Sequence, residues 1–217
     1  MLENLQRRTL REQALDSLRS AILGGDLPPG AHLGEVALSE QLQISRGTVR
    51  EALRALQQSG LVEAAPRGLR VRSLTPREVR DLYATRGALE SLAMTTIMEK
   101  DDVQERIQDI AQFLPPENLA DVDFSECLEM DLRFHQKLAY TSENQVLIRV
   151  WEELQDQMRV AILADDSQAA RSIMSRKHHE PIIQAMQAGD TAGASTLLIQ
   201  HMGYAADLLA PHDSGQE

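Results

Sequence analysis

Residues 44–56 read Ile44-Ser45-Arg46-Gly47-Thr48-Val49-Arg50-Glu51-Ala52-Leu53-Arg54-Ala55-Leu56, and this stretch decides the fold. Ser45 stands where an N-cap opens a helix from Arg46 to about Ser59, and Gly60 closes it. Val49, Ala52, Leu53 and Leu56 recur at helical spacing and can face a core. Arg46, Arg50 and Arg54, spaced i, i+4 and i+8, project from a separate stripe. Upstream, a short amphipathic stretch from Val36 to Leu42 is expected to be helical. Before it, Leu10, Ala14, Leu18, Ile22 and Leu23 mark another helix that stops at Gly24-Gly25. Downstream, Leu61 to Ala65, the turn Pro66-Arg67-Gly68 and Leu69 to Arg72 read as two short strands around a tight turn. Three helices and a hairpin predict a winged helix-turn-helix.

That context gives the arginine stripe a function. On an arbitrary helix three exposed arginines are merely solvated. On the third helix of a helix-turn-helix they face the major groove, where guanidinium suits both phosphate and the O6/N7 edge of guanine. Ser45, Gly47 and Thr48 at the first turn let backbone donors approach phosphate, and Arg67 and Gly68 at the hairpin tip can reach a neighbouring groove. Up to Leu74 the chain has ten arginines, no lysine and eight acidic residues, net +2, which leaves −13 for the remainder of a chain of net −11. All seven Phe, Tyr and Trp residues lie beyond Leu74, so the basic part has no ring on which to stack single-stranded bases. The expected partner is double-stranded DNA.

Thr75-Pro76-Arg77-Glu78 is a capping box with proline at the first helical position, so the domain boundary is expected at Ser73 to Thr75. Beyond it only helical periodicity remains: Pro76 to Lys100, Asp101 to Phe113, Phe124 to Ser142, Glu143 to Ala164, Ser175 to Ala188 and Thr191 to Leu209. The breaks are Leu114-Pro115-Pro116, Asp165-Asp166-Ser167 and Gly189-Asp190. Pro181 should kink its helix or mark its first turns, and Pro211 should stop the last one. The predicted fold is mainly α: residues 1–74 a winged helix-turn-helix with a β-hairpin wing, residues 75–212 an all-α antiparallel bundle, and residues 213–217 a polar tail. Its 217 residues contain one cysteine, Cys127, which excludes an intrachain disulfide or a cysteine zinc cluster. With no apolar run of the roughly 18 residues that a membrane span needs, the protein is expected to be soluble and cytoplasmic.

Asp131 and His135 are four apart on a predicted helix and emerge on one face, as two ligands of one ion can. His179 and His201 lie on later helices, and inward-facing side chains from several helices are how bundles build metal sites. By spacing alone, the same pair is equally an exposed helix pair and the histidines ordinary core or surface residues. A methionine scatter from Met94 to Met202 reads as adaptable core filling.

The run Ile44 to Leu56, with Gly60-Leu61-Val62 and Pro66-Arg67-Gly68, resembles the winged-helix domain of GntR-family transcription regulators. The resemblance implies that Ser45, Arg46, Thr48 and Arg50 contact operator DNA and that Gly68 enters the minor groove. Leu82-Tyr83-Ala84-Thr85-Arg86-Gly87-Ala88-Leu89-Glu90, Asp131-Leu132-Arg133-Phe134-His135, His179 and His201 are similar to the FadR-type C-terminal (FCD) domain in its metal-binding form. It implies a divalent metal, Zn²⁺ ahead of Ni²⁺, Mn²⁺ or Fe²⁺, on Asp131, His135, His179 and His201. It implies Arg86 as the arginine that captures the carboxylate of a small organic acid. His178, adjacent to His179, points about 100° away and is left out on register. Arg86 is alternatively an intrahelical partner of Glu90.

The expected protein is thus a homodimeric DNA-binding regulator, a repressor by family habit, that reads a pseudo-palindromic operator under control of a small carboxylate effector. Two alternatives stand beside it. A metal-dependent enzyme would use an open metal position to activate water, but no general base or nucleophile constellation accompanies the cluster. A regulator responsive to metal alone would ignore organic acids.

Overall fold

The computed structural model describes residues 8–163 and 168–210, which divide at Ser73/Leu74 into two compact units. In the first unit α1 (Leu10–Leu23), β1 (His32–Leu33), α2 (Glu35–Leu42), α3 (Arg46–Gln58), β2 (Val62–Ala65) and β3 (Gly68–Val71) follow one another. Ala14, Leu18 and Ile22 of α1 are buried, whereas Leu10, at the head of the same expected stripe, is 59% exposed. Val49, Ala52, Leu53 and Leu56 of α3 are at most 1% exposed. Each large side chain among them contributes roughly 1.5–3 kcal/mol on burial. Ser45 caps α3, its hydroxyl accepting from the Thr48 N–H at 3.1 Å.

The wing is a three-stranded antiparallel sheet in the order β1-β3-β2. Ala65 pairs with Gly68 across the Pro66-Arg67 turn, and Gly68 has φ +94°, a conformation costly to any residue with a Cβ. The β2–β3 hairpin lies where the turn signal predicts it, and β1 adds a strand that the sequence pattern does not show. Two residues, His32 and Leu33 against Arg70 and Leu69, are too short to show alternation.

The second unit contains α4 (Pro76–Met98), α5 (Val103–Ala111), α6 (Phe124–Thr141), α7 (Gln145–Leu163), α8 (Gln168–Ile173), α9 (Arg176–Gln187) and α10 (Thr191–Leu209). The Thr75-Glu78 capping box forms in both directions. A single large apolar cluster runs through α4, α5, α6, α7, α8, α9 and α10, with Phe134, Leu128, Ile107, Ile110 and Met186 at zero exposure. α4 lies close to α10: a Cβ on Gly87 would sit 3.4 Å from Met202 Cγ. Pro181 falls within α9, and the short α8 was not anticipated. The expected break at Asp165 to Ser167, the stop at Pro211 and the tail 213–217 lie outside the described residues. Among the described residues no helix is long and apolar enough to cross a membrane.

Candidate metal centre and DNA-reading face

In the first unit, the residues proposed to touch DNA are surface residues. Arg46, Arg50 and Arg54 are all exposed, on the side of α3 away from its fully buried stripe, and Arg67 and Gly68 are exposed at the wing turn. Ser45 and Thr48 join through their hydroxyls at 2.9 Å. Arg50 is held in place by α2: its Nε donates to Glu35 Oε1 at 2.8 Å and its Nη2 to Oε2 at 2.7 Å. The hydrogen bond from Arg50 holds the Glu35 carboxyl below its ordinary value. On the wing, Arg70 pairs with Glu63 of the adjacent strand at 2.7 Å. Glu35 and Glu63 went unremarked in the sequence, since neither is near its arginine in the chain.

In the second unit, Asp131 and His135 of α6, His179 of α9 and His201 of α10 converge. One potential ligand atom from each lies within 4.8 Å of all the others, and all four residues are buried. His135 Nε2 is 3.1 Å from His179 Nε2, and Asp131 Oδ1 is 3.1 Å from His179 Nε2 and 3.8 Å from His135 Nε2. The His201 ring stacks on that of His135 at 5.4 Å between centroids and meets His179 edge-on at 4.5 Å. Phe134 packs its edge against both His135 and His179. His178 stays outside, half-buried and stacked on Tyr204 at 5.7 Å.

Hydrogen bonds behind the cluster orient two of its imidazoles. His179 Nδ1 is 2.9 Å from the Ser175 carbonyl, which can only accept, so Nδ1 donates and the lone pair lies on Nε2. His135 Nδ1 is 2.6 Å from Glu90 Oε2. Glu90 Oε1 also accepts from Arg86 Nε at 2.7 Å and Trp151 Nε1 at 2.9 Å. With Glu90 ionised against the Arg86 guanidinium it accepts from His135 Nδ1, which leaves the Nε2 of His135 facing the cluster. With both rings in the neutral form that metals take, two Nε2 lone pairs face each other at 3.1 Å with a carboxylate oxygen beside them, an arrangement that a cation relieves. Burial, and next the Arg86 charge, pushes the His135 imidazole well below its ordinary value. Burial likewise lowers His201, so both favour the neutral form that metals take. The donor set, three imidazoles and one carboxylate with second hydrogen bonds to a carboxylate and a carbonyl, fits a divalent transition metal.

Glu90, with no exposure, has a part in the site that the sequence motif did not indicate: there it closes the Leu82 to Glu90 run and is an alternative partner for Arg86. The signal was available. Arg86 and Glu90 fall on the same buried side of α4 as Tyr83, Ala93, Met94 and Ile97, and two charges on an apolar stripe need a reason to be there. Burial pushes the Glu90 carboxyl up, against the pull of Arg86 and Trp151. Arg86 both pairs with Glu90 and borders a small cavity that Asp131 and His201 also line.

The first unit matches the description "Bacterial regulatory proteins, gntR family" over residues 10–69, and the second matches the FCD domain over residues 81–204. The HTH-type transcriptional regulator LutR of Bacillus subtilis is 31% identical, over 87% of this chain and 96% of that protein. The gluconate operon transcriptional repressor of the same organism is 25% identical, over 85% of this chain and 77% of that protein. Among solved structures, a GntR transcriptional regulator from Rhodococcus sp. RHA1 has a TM-score of 0.75 at 26% identity, covering 92% of this chain and 96% of its own. These relatives are regulators of transcription and none is named for a catalysed reaction. The chain therefore belongs to the GntR family of bacterial regulatory proteins, in the branch that carries an FCD domain, and is a transcriptional regulator rather than an enzyme.

Proposed function

We propose that this regulator is a homodimeric repressor whose hold on a pseudo-palindromic operator is set by a small carboxylate that binds beside a metal ion in the FCD domain. In this reading residues 1–74 bind DNA, and residues 75–212 bind the effector and dimerise. Ser45, Arg46, Thr48, Arg50 and Arg54 meet the major groove and the backbone, while Arg67 and Gly68 of the wing reach the flanking groove. Phosphate contacts supply affinity, and Arg50, already anchored by Glu35, supplies selection.

Asp131, His135, His179 and His201 would hold the metal, which when bound supplies a Lewis-acidic place for a carboxylate oxygen. Glu90 and the Ser175 carbonyl orient the two imidazoles, Phe134 keeps water from their edges, and Arg86 presents a guanidinium to the incoming anion. A ligand that binds one state of the dimer better than the other shifts operator affinity by that difference. The observation that carries this reading is the meeting of His135 Nε2, His179 Nε2 and Asp131 Oδ1 in one buried cluster, with both other atoms 3.1 Å from His179 Nε2. Elemental analysis of the purified chain and operator titration with and without candidate acids test it. One bound metal per chain and acid-dependent release support it, whereas operator affinity that follows metal supply and ignores every acid replaces it with a metal-responsive regulator.

A further inference from the structure

We propose that the acid sensed by this regulator is a short monocarboxylate with an apolar tail, and not a dicarboxylate or a polyhydroxy acid. The inference rests on the carboxylate-sensing reading above and names the ligand class of that site.

Among the described residues, two buried side-chain polar atoms have no hydrogen-bond partner: Arg86 Nη2 and His201 Nδ1. Arg86 is 1% exposed and His201 is 8% exposed, and both line the same cavity. The metal read into this cluster accounts for a free nitrogen of its ligand His201. A guanidinium nitrogen left unpaired away from water is costly, however, so Arg86 Nη2 at a cavity also lined by Asp131 and His201 marks a place for an added polar acceptor. The cavity is about 10 Å³, the space of roughly one water molecule. It therefore accepts one small polar group as it stands, and anything attached to that group must be accommodated by the wall.

The wall decides the rest of the ligand. Among the described residues, the wall away from Arg86, Asp131, His201 and the Tyr83 ring is made of Ile162, Ala170, Ile173, Met174, Ala205 and Leu209. Aliphatic groups cannot pair a hydroxyl, so each sugar-acid hydroxyl pressed against them costs about tenfold in affinity or more. A second carboxylate fares worse. Arg86, the one permanent cation among the described wall residues, already shares its charge with Glu90 at 2.7 Å, and Asp131 is itself acidic. An apolar tail meets no such penalty. Met174, unbranched and adaptable, is the wall residue best able to make room for a few methylenes, while the tight enclosure disfavours a long chain.

Isothermal titration of the full-length chain, loaded in parallel with Zn²⁺, Ni²⁺ or Mn²⁺, with propionate, butyrate, octanoate, succinate and gluconate tests this. Propionate or butyrate should bind about tenfold or more tighter than the other three. In Leu209→Gln, at a half-buried wall position, butyrate should weaken about tenfold while gluconate does not. Arg86→Lys, which retains a charge for Glu90 but not the fork, should weaken every acid with little change in melting temperature. Succinate, gluconate or octanoate binding as tightly as butyrate overturns the ligand class and leaves the carboxylate sensor standing. A Leu209→Gln chain that discriminates as the native one does also overturns it. Failure of every acid on every metal form overturns both readings.

Discussion

Glu35 and Arg50 stand fifteen residues apart in the chain and meet in a two-pronged ion pair, Nε to Oε1 at 2.8 Å and Nη2 to Oε2 at 2.7 Å. The pair ties the middle of α3 to the start of α2 and fixes the plane of the guanidinium. What remains of the fork is presented outward in a restricted set of orientations, which is what base readout requires.

Replacing Arg50 by Ala should lower affinity for the cognate operator about tenfold or more, with a smaller effect on random DNA. Glu35→Ala should lose a part of the same discrimination, because the arginine survives but is no longer oriented. Fluorescence anisotropy with cognate and scrambled duplexes at fixed salt reads both; equal losses on the two duplexes would assign Arg50 to the phosphates alone.

The same pair has a defined pH behaviour. Arg50 holds the Glu35 carboxyl below its ordinary value of 4.5, so the stabilisation is fully present above that value and is lost as pH falls through the lower, folded one. Operator discrimination due to Glu35 should be flat from about pH 5.5 to 8, where the carboxylate stays ionised. A difference between native and Glu35→Ala discrimination that changes across that window would contradict the assignment.

His135→Ala combined with His201→Ala should abolish stoichiometric metal, read by elemental analysis of the purified protein. Glu90→Gln keeps the shape but weakens the acceptor behind His135, and should cost roughly 10–100-fold in metal affinity. Chelation of the native chain should lower its melting temperature, since metal bound to the folded state alone stabilises it. Retained metal in the double variant would show the ligand set to be different.

Leu53→Ala removes a side chain of zero exposure from the core of the first unit and should destabilise that unit by about 2–5 kcal/mol. Operator binding should fall while metal content is kept. The contrasting substitution, Leu92→Ala on an exposed position of α4, should change stability by about 0.5 kcal/mol or less. Thermal denaturation of the two variants checks the contrast.

The winged helix was legible because its signals are local. Ser45 before the α3 pattern and the Pro66 to Gly68 turn each act through neighbours within a few residues, and capping, periodicity and turn geometry are short-range effects. Thr75 with Glu78 announces α4 for the same reason. β1 was not legible, because a two-residue strand is defined by its pairing with β3 and has no pattern of its own. Nor was α8, whose six residues span less than two turns and so show no periodicity.

Of the candidate metal centre, spacing alone put only Asp131 and His135 on one face; His179 and His201 stood as candidates on later helices, and the family resemblance joined the four into one ligand set. Choosing His179 over His178 followed the helical register, and the geometry has His179 inside the cluster with His178 beside Tyr204.

The sequence by itself determined the longer helices, the β2–β3 hairpin of the wing and the apolar faces of those helices, because those follow from torsional preferences and side-chain periodicity along a few turns. Tertiary structure alone decided that imidazoles 44 residues apart meet at 3.1 Å. It also decided that Glu90 and Trp151, 61 residues apart, lock together behind them, and that Arg86 keeps one donor unspent beside an aliphatic wall. The physical reason is that such meetings depend on how α4, α6, α7, α9 and α10 pack, and packing is set by the fit of whole surfaces that no short window of sequence contains.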